Sequence, residues 1–517
     1  MRFVPDRAGF VELARRGRLA FVYREVVADA DTPVSAYAKL GRGPYSFLLE
    51  SVVGGDKWAA YSFVGVKPRA VIRARGETIE ILVPEDGGFR VAERVTSHDP
   101  LRFVDDYLAK RAPAVPPGLP RFFGGAVGWL GYDVVRSFER LPAVKPDDLG
   151  LPEICFALTD TVVIFDNLRG TLKVVAAVDV GDDAAGDPGR AYDAACERIN
   201  AVLDRLARPA PPLRPLDPEP PASPAVPRST VTRETYEAGV RRIQEYILAG
   251  DAFQVVYSQR FEVARGDVDP FDVYRALRVI NPSPYMFHLE FPEAVVTGAS
   301  PEVLVRLEDG AVEVRPIAGT RRRGATPEED AALEAELRSD PKELAEHTML
   351  IDLGRNDVGR VSTAGSVRLT ERMVTERYSH VMHLTSHVRG QGRPGIRPVD
   401  VVRAAFPTGT LSGAPKIRAM EIIEEVEPAR RGIYGGAIGY VSYTGNLDLA
   451  IAIRTLVTKG DTIYVQAGAG IVADSVPADE HTECVNKARA VINAVEVARR
   501  AAQGGAQPAQ PSAKGGR

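Results

Sequence analysis

The chain has 517 residues, of which 45% are hydrophobic and 26% charged, a globular composition that excludes a fibrous, collagenous or largely disordered protein. At about 150 residues per domain, this length predicts about three lobes or one large α+β body. The 65 basic and 69 acidic residues leave a net charge of −4, so we expect no nucleic acid and no membrane surface as a partner. Three scattered cysteines and the lack of a long apolar run favour a cytoplasmic protein without disulfides.

The elements before residue 209 indicate an antiparallel sheet with few helices. An amphipathic helix is predicted to begin after Asp6. Residues 70–75 and 161–165 are short runs with β-branched side chains, bounded by Gly, Pro or Asp, which is typical of strands. We therefore assign residues 1–208 to an N-terminal α+β region.

A proline-rich segment separates this region from the rest of the chain. Nine of the nineteen residues from Pro209 to Pro227 are proline, and such a segment cannot supply a helix or a central strand. The composition predicts a linker over residues 209–228.

The segment after the linker begins a new set of elements. A helix is predicted over residues 232–249, and a strand over residues 253–259. Residues 229–501 are expected to form a second fold unit. Residues 502–517 lack apolar periodicity and are predicted to be a disordered tail.

A short internal repeat lies in both halves of the chain. Phe-Gly-Gly-Ala-Val-Gly-Trp at residues 123–129 recurs as Tyr-Gly-Gly-Ala-Ile-Gly-Tyr at residues 434–440. Glycines that interleave with apolar and aromatic residues are typical of a strand that another backbone or a ligand approaches closely. We interpret the repeat as a strand that is duplicated in two sheets packed face to face.

Two pairs of glutamates have the spacing i, i+3, which places both carboxylates of a pair on one helix face. They are Glu343 with Glu346, and Glu480 with Glu483. Four carboxylates from two helices would supply the hard oxygen ligands that Mg²⁺ prefers. The alternative is ordinary helix chemistry, because Glu343 occupies a capping-box position and Glu483 precedes Lys487 by one turn. The spacing alone leaves both interpretations open.

Two further segments contain groups suited to chemistry. His380, His383 and His387 alternate along a predicted strand with His380 on the opposite face, which favours one acid/base histidine over a zinc site. The glycine-rich residues 466–471 have backbone amides suited to an anion, but they lack the third glycine of a dinucleotide fingerprint. A tight turn is the alternative interpretation of this segment.

Several segments, taken in order, resemble the chorismate-utilising enzymes. In the second half they are Pro-Ile-Ala-Gly-Thr-Arg from Pro316, Glu-Leu-Ala-Glu-His from Glu343, Asp-Leu-Gly-Arg-Asn-Asp from Asp352, Pro-Thr-Gly-Thr-Leu-Ser-Gly-Ala-Pro-Lys from Pro407 and Gln-Ala-Gly-Ala-Gly-Ile-Val-Ala-Asp from Gln466. In the first half, Phe-Leu-Leu-Glu-Ser from Phe47 and Tyr-Ser-Phe-Val-Gly from Tyr61 resemble the large subunits of anthranilate synthases. The resemblance implies an internally duplicated α+β fold, in which two large antiparallel β-sheets pack face to face with helices outside.

The same resemblance implies that residues 1–208 are a regulatory, tryptophan-binding region and that residues 229–501 are the chorismate-binding catalytic region. It also implies individual site residues. It implies a Mg²⁺ cofactor bound by Glu343, Glu346, Glu480 and Glu483. The substrate would be chorismate, and its implied binding residues are Gly319, Thr320, Tyr434, Arg454, Gly468, Ala469, Gly470 and Lys487. The implied catalytic residues are Glu302, as the general acid toward the C4 hydroxyl, His383, in the later elimination of pyruvate, Gln254 and Thr410.

Two positions discriminate between the reactions of this family. Relatives that add water to chorismate carry a basic Lys where this chain has Gln254, and ammonia needs no such base. Aminodeoxychorismate synthases carry a nucleophilic Lys where this chain has Ala318. The resemblance therefore implies amination at C2 and pyruvate elimination, which give anthranilate for tryptophan biosynthesis. The alternatives are an aminodeoxyisochorismate or aminodeoxychorismate synthase, or a catalytically silent tryptophan sensor.

The resemblance also implies regulation and a partner. The tryptophan pocket would be formed by Glu50, Ser51, Pro284, Tyr285, Met286 and Phe287. None of the three cysteines lies on the glycine-flanked elbow that a glutamine-hydrolysing thiolate needs. We therefore expect ammonia from a glutamine amidotransferase subunit, component II, in a heterodimer or heterotetramer.

Overall fold

The computed structural model describes residues 2–52, 60–142, 145–181, 187–219, 227–378 and 381–504. Its α-helices are α1 Arg7–Ala14, α2 Pro33–Leu40, α3 Pro100–Ala109, α4 Pro188–Leu206, α5 Arg233–Leu248, α6 Pro270–Ile280, α7 Pro327–Ser339, α8 Pro341–Gly359, α9 Pro398–Ala405, α10 Lys416–Val426 and α11 Pro477–Gly504. Two 3₁₀ helices, Tyr132–Ser137 and Gly409–Leu411, complete the helical elements of these residues.

Local chemistry explains where the helices begin. Most of them start with proline, whose missing N–H costs no hydrogen bond in the first turn. Asp340 caps α8 by accepting from the backbone N–H groups of Lys342 and Glu343, as the sequence predicts. The predicted helix after the proline-rich segment is confirmed as α5, with Thr232 as its N-cap.

The strands are β1 Leu19–Val27, β2 Ser46–Glu50, β3 Tyr61–Gly65, β4 Ala70–Arg75, β5 Thr78–Glu85, β6 Gly88–Thr96, β7 Pro113–Ala114, β8 Gly125–Leu130, β9 Ile154–Thr159, β10 Thr161–Asp166, β11 Thr171–Asp179, β12 Arg228–Ser229, β13 Gln254–Ala264, β14 Tyr285–Glu290, β15 Val295–Ser300, β16 Val303–Glu308, β17 Ala311–Val314, β18 Ile317–Arg322, β19 Arg368–Arg377, β20 Val381–Gln391, β21 Gly413–Ala414, β22 Ala437–Ser442, β23 Leu447–Ile451, β24 Thr455–Lys459 and β25 Thr462–Ile471. They form two large sheets, as expected. Apart from the short parallel pair of β1 with β7, the pairs in the described residues are antiparallel.

Sheet I has 13 strands in the order β12-β13-β25-β24-β15-β14-β2-β3-β10-β11-β1-β7, with β21 beside β13. Sheet II has 12 strands in the order β18-β20-β17-β16-β23-β22-β8-β9-β4-β5-β6, with β19 beside β20. In sheet I, β2 pairs with β14, and in sheet II, β8 pairs with β22. The regions before and after the proline-rich segment therefore share both sheets, and the second region is not a separate fold unit.

The two copies of the repeat lie side by side in sheet II, which corrects the expectation of one copy in each sheet. Gly128 in β8 is the register partner of Gly439 in β22. A Cβ at Gly128 would lie 1.9 Å from the carbonyl oxygen of Cys155, and one at Gly439 would lie 2.1 Å from that of Asp448. Glycine is therefore required by the close approach of neighbouring backbones, which confirms this part of the interpretation.

The main hydrophobic core lies between the sheets. Phe63 of sheet I contacts Tyr440 of sheet II with 5.9 Å between ring centroids, and Trp129 is fully buried in the same cluster. A second cluster joins the outer face of sheet I to helices through Phe10, Tyr37 and Tyr192 among others. Burial on this scale, at about 25 cal/mol per Å² of apolar surface, is the dominant favourable term in folding.

The ends and the proline-rich segment complete the chain. Residues 209–218 form neither helix nor strand, and Leu213 and Leu216 pack against the outer core cluster. Helix α11 continues through Gly504, so residues 502–504 are helical rather than part of a disordered tail, whose remainder lies outside the described residues. No helix in the described part of the chain has the length and apolar character needed to cross a membrane.

Candidate active site

Glu302 lies where the chain passes from sheet I to sheet II, between the end of β15 and the start of β16. Its carbonyl oxygen accepts from the N–H of Ile451 at 3.0 Å, which fixes the backbone. Thr410 Oγ1 donates to Glu302 Oε1 at 3.1 Å. Burial raises the pKa of Glu302 to about 8, and the Thr410 hydrogen bond opposes this rise. Glu302 is therefore largely protonated at neutral pH and suited to donate a proton.

The glycine-rich segment is strand β25 rather than a turn, which corrects the alternative interpretation. It pairs along its length with β13, where Gly468 lies opposite Ser258 and Gly470 opposite Val256. A Cβ at Gly470 would lie 2.5 Å from Nε2 of Gln254, so glycine leaves room for that side chain. Gln254 Nε2 in turn donates to Glu346 Oε1 at 3.5 Å, which connects the strand to α8.

Several of the predicted substrate-binding residues lie near residues 466–471 of β25, whose edge is not paired with β24. Strand β24 pairs with β25 only as far as Val465, so no other strand in the described residues covers this edge from residue 466 onward. Lys487 Nζ donates to the carbonyl oxygen of Gly468 at 3.0 Å, and Arg454 donates to that of Lys487 at 3.3 Å. The Tyr434 hydroxyl lies so close to Gly468 that an added Cβ there would be 2.9 Å from it. The structure thus brings together Tyr434, Arg454, Gly468, Ala469, Gly470 and Lys487.

His383 faces this site from β20 in sheet II. Its Nδ1 lies 3.0 Å from Thr320 Oγ1 and 3.1 Å from the carbonyl oxygen of Gly319. Burial lowers the pKa of His383, and the nearby charge of Arg454 lowers it further, so the imidazole is neutral and able to accept a proton. His387 instead contacts Thr370, and His380 lies outside the described residues.

The four predicted metal ligands lie in the first two turns of α8 and α11. Burial raises the pKa of Glu346, and the charges of Glu343 and Glu483 raise it further. Burial also raises the pKa of Glu480, with a contribution from Glu483. The negative charges of the two helices therefore act on one another, and a shared metal site needs acids that are this close.

Two of these acids are held by cations of the protein. Arg321 Nη1 donates to Glu343 at 3.1 Å, and Lys487 Nζ lies 2.6 Å from Glu483. Among the described residues, no group of three or more His, Cys, Asp or Glu side chains is already arranged to hold a metal ion. The donor chemistry nevertheless fits Mg²⁺, because hard carboxylates that raise one another's pKa are the groups that a divalent cation stabilises.

Two charged contacts next to the site were not predicted from the sequence. Arg321 also donates to Asp340 at 2.7 Å, so one guanidinium connects β18 with the N-terminus of α8. Lys416 forms an ion pair of 3.1 Å with buried Asp357. Arg321, Asp357 and Lys416 lie within the segments that carry the family resemblance, and Asp340 does not. Membership in those segments is the sequence feature that could have pointed to the first three.

The predicted inhibitor residues line a pocket between the two sheets. From sheet I and its connections come Glu50, Ser51, Pro284, Tyr285, Met286 and Phe287. Tyr440 and Asp448 of sheet II face them. The Glu50 carboxylate accepts from Tyr274 and from Arg278, the latter at 3.1 Å. This region is called the inter-sheet pocket below.

The floor of the inter-sheet pocket is a charged network that was not predicted from the sequence. Asp448 accepts from the Tyr285 hydroxyl at 2.9 Å and pairs with Arg306 at 2.9 Å and Arg121 at 3.3 Å. These residues come from β14, β16, β23 and the segment before β8, so only the tertiary structure brings them together.

Comparison with known proteins agrees with this geometry. The family model for chorismate-binding enzymes matches residues 47–493. Anthranilate synthase component 1 of Pseudomonas putida is 53% identical over 92% of this chain and 94% of its own length, and that of Pseudomonas aeruginosa is 51% identical over 95% and 99%. The crystal structure of anthranilate synthase component I from Streptococcus pneumoniae matches with a TM-score of 0.74 and 37% identity, over 90% of this chain and 99% of that one. The chain belongs to the family of chorismate-binding enzymes.

Proposed function

We propose that this chain is the chorismate-aminating component of an anthranilate synthase. It converts chorismate and ammonia into anthranilate and pyruvate, the first committed step toward tryptophan. The observation that carries the proposal is the pairing of a protonated acid, Glu302, with a site that offers Gln254 in place of a base. The relatives at about half identity, which are named anthranilate synthase component 1, support the same reaction.

Chorismate carries two carboxylates, and the site offers cations for them. The Arg454 guanidinium and the Lys487 ammonium bind the enolpyruvyl carboxylate at the open edge of β25, next to Gly468. Glu343, Glu346, Glu480 and Glu483 would hold Mg²⁺, which supplies positive charge for the ring carboxylate when bound.

The chain's own side chains move the protons. Ammonia attacks C2, and Glu302 donates its proton to the oxygen at C4, which leaves as water. Thr410 holds the Glu302 carboxyl through its hydroxyl. In the second step the neutral imidazole of His383 accepts the C2 proton, the bond between C3 and the enolpyruvyl oxygen breaks, and the ring becomes aromatic. The departing enolpyruvate takes up a proton at its methylene carbon and becomes pyruvate. A water nucleophile would need a base at position 254, and an amide cannot act as one.

Ammonia is expected from a separate amidotransferase subunit, component II. Cys155 and Cys484 are buried, and burial raises the pKa of both thiols, that of Cys484 to about 12. Neither sulfur is therefore a thiolate that attacks glutamine. Burial also raises the pKa of Cys196. Because the chain would need a second subunit to release ammonia from glutamine, we propose a heterodimer or heterotetramer with component II.

Tryptophan is the expected feedback inhibitor, and the inter-sheet pocket is its proposed site. Phe287 and Tyr440 supply apolar surface for an indole, while Ser51 and Asp448 supply polar groups for an amino-acid head. The side chains of Met286 and Glu50 pack on the outer face of sheet I, so these two residues would line the pocket through their backbone. An occupied pocket would favour one arrangement of the sheets and lower the affinity for chorismate.

The direct test is incubation of the purified chain with chorismate, Mg²⁺ and ammonium at alkaline pH, followed by anthranilate fluorescence. We expect anthranilate and one equivalent of pyruvate, and no product when glutamine replaces ammonium. A non-aromatic amine would identify an enzyme that stops at the intermediate, and p-substituted product would identify an aminodeoxychorismate synthase. A lack of turnover with intact tryptophan binding would identify a silent sensor.

A further inference from the structure

A buried ion pair lies behind the active site, and neither the catalytic nor the substrate-binding assignments use it. Arg431 Nε lies 2.9 Å from Glu427 Oε2, and Nη2 lies 2.6 Å from Oε1. The two side chains are 1% and 3% exposed. Burial removes both charges from water, and well-packed apolar residues are often at least as stabilising as such a pair. The pair therefore needs an explanation other than stability.

The remaining N–H groups of Arg431 hold two segments of the active site. Nη1 donates to the carbonyl oxygen of Leu411 at 2.5 Å, and Leu411 directly follows Thr410, the hydrogen-bond partner of Glu302. Nη2 donates to the carbonyl oxygen of Val256 at 2.8 Å, two residues after Gln254 in β13. One guanidinium thus connects the 3₁₀ helix Gly409–Leu411, which carries Thr410, to strand β13, which carries Gln254.

Glu427 extends the connection to β25. Its Oε1 accepts from the backbone N–H of Ser258 at 2.9 Å and from the Ser258 hydroxyl at 2.7 Å. Gln466 Nε2 donates to the same hydroxyl at 2.8 Å, two residues before Gly468. The carboxylate therefore fixes the register between β13 and the glycine-rich end of β25.

Arg431 also contacts the ring of a substrate-binding candidate. Its guanidinium carbon lies 5.6 Å from the centroid of Tyr434 and 4.7 Å from that of Tyr132. A cation this close to an aromatic face is attracted by the ring quadrupole, more strongly when water is excluded. Tyr434, whose hydroxyl lies beside Gly468, is thus oriented by the same charge.

We propose that Arg431 and Glu427 are positioning residues. They fix three segments relative to one another: the 3₁₀ helix that carries Thr410, the start of β13, and residues 466–471 of β25. Arginine suits this role, because its planar fork serves a carboxylate and two carbonyl oxygens at once. Lysine, a single ammonium on a flexible stem, cannot replace these bonds together. The inference rests on the proposed function, because it needs Glu302 as the general acid.

The test is Arg431→Lys, which keeps a positive charge next to Glu427 but removes the planar guanidinium and its hydrogen bonds to the carbonyl oxygens of Leu411 and Val256. We expect kcat for ammonia-dependent anthranilate formation to fall about 10- to 100-fold, the size of effect that small misplacements of reacting groups produce. The alkaline limb of the pH profile should move to higher pH, because a loosened Thr410 no longer stabilises the Glu302 carboxylate. The pH limb is a readout that a purely structural role would not move.

The matched control is Arg136→Lys. Arg136 pairs with Glu424, one helical turn before Glu427 at the end of α10, and with Asp133 at 2.9 Å, and neither carboxylate is assigned to the site. It should lower the melting temperature without changing kcat or the pH limb. Ser258→Ala removes one hydroxyl and leaves the ion pair intact, so it should fold and still lower kcat several-fold.

The outcomes separate the two levels of the proposal. If the parent enzyme makes no anthranilate from chorismate and ammonium, the proposed function fails. If the parent is active and folded Arg431→Lys keeps its kcat and pH limb, the positioning role is wrong. If Arg431→Lys does not fold, an unchanged kcat in Ser258→Ala overturns the role, and a lowered kcat with a parental melting temperature supports it.

Discussion

The active site and the inter-sheet pocket both bury carboxylates, but their charges are compensated differently. At the inter-sheet pocket, Asp448 pairs with Arg306 and Arg121, and the carboxylate of Glu50, on the outer face of sheet I, accepts from Arg278. In the active site, a neutral hydroxyl holds Glu302, and an amide contacts Glu346. Burial accordingly raises the pKa of Glu302 and of Glu346. Glu343 and Glu483 of the same site do have cationic partners, Arg321 and Lys487, so the contrast applies to Glu302 and Glu346.

If the proposed function is right, this difference separates the charges used in catalysis from those used to recognise the inhibitor. An acid that must donate a proton works best without a cationic partner, because a cation would hold it ionised. A pocket that recognises a zwitterionic amino acid works best when its own charges are already ordered, because binding then costs less reorganisation. Mutations in the two regions should therefore affect different observables.

The largest effect is expected from Glu302→Gln, which removes the donated proton and keeps the shape. Turnover should fall about 10²- to 10⁴-fold, the usual contribution of general acid catalysis. Tryptophan affinity, measured by calorimetry, should stay at the parental value because the pocket charges are untouched. Parental turnover in this variant would move the general acid elsewhere and remove the contrast.

The next effect is expected at the clustered acids. Glu346→Gln or Glu483→Gln removes one negative charge from the proposed Mg²⁺ ligands and should lower turnover by about 10²-fold or more. A Mg²⁺ titration of activity should show the half-saturating concentration rising in both variants. If kinetics at saturating chorismate are unchanged, these acids serve helix capping and surface pairing instead.

A smaller effect, confined to regulation, is expected from Ser51→Phe. The added ring would occupy the inter-sheet pocket, so the tryptophan concentration for half inhibition should rise at least about tenfold. Inhibition curves at fixed chorismate measure this shift, with Ser51→Thr as the control that keeps a hydroxyl. Full sensitivity in Ser51→Phe would place the inhibitor site elsewhere.

The smallest effect is a shift in pH dependence. Because the Glu302 pKa is raised to about 8, the acid is protonated below that pH, and kcat/KM for chorismate at constant free ammonia should fall as pH rises through about 8. Thr410→Val removes the hydrogen bond that lowers this pKa, so the fall should move to higher pH by up to about one unit. Thr410→Ser keeps the hydroxyl and should leave the limb in place, and a downward shift in Thr410→Val would contradict the assignment.

The sequence predicted the features that depend on neighbouring residues. The cap at Asp340, the boundaries of α5 and the helical placement of Glu343 with Glu346 follow from spacing within one or two turns. The resemblance added Glu302, Thr410 and His383, which local patterns do not connect.

The errors arose where pairing is non-local. Residues 466–471 look like a turn in isolation, because glycine favours turns, yet β13 pairs with them from about 210 residues away. The two copies of the repeat are neighbours in one sheet for the same kind of reason. The sequence did not predict the network of Asp448, Arg306 and Arg121, because these side chains meet only after sheet II has formed.

The sharing of both sheets by the two halves has a consequence for synthesis on the ribosome. Strand β2 leaves the ribosome about 240 residues before its partner β14, and β8 about 310 residues before β22. At roughly 5–20 residues per second, these strand edges remain unpaired for on the order of ten seconds or more. Unpaired edges are templates for association with other chains, so the nascent N-terminal half is the stage at which we expect chaperone dependence and aggregation.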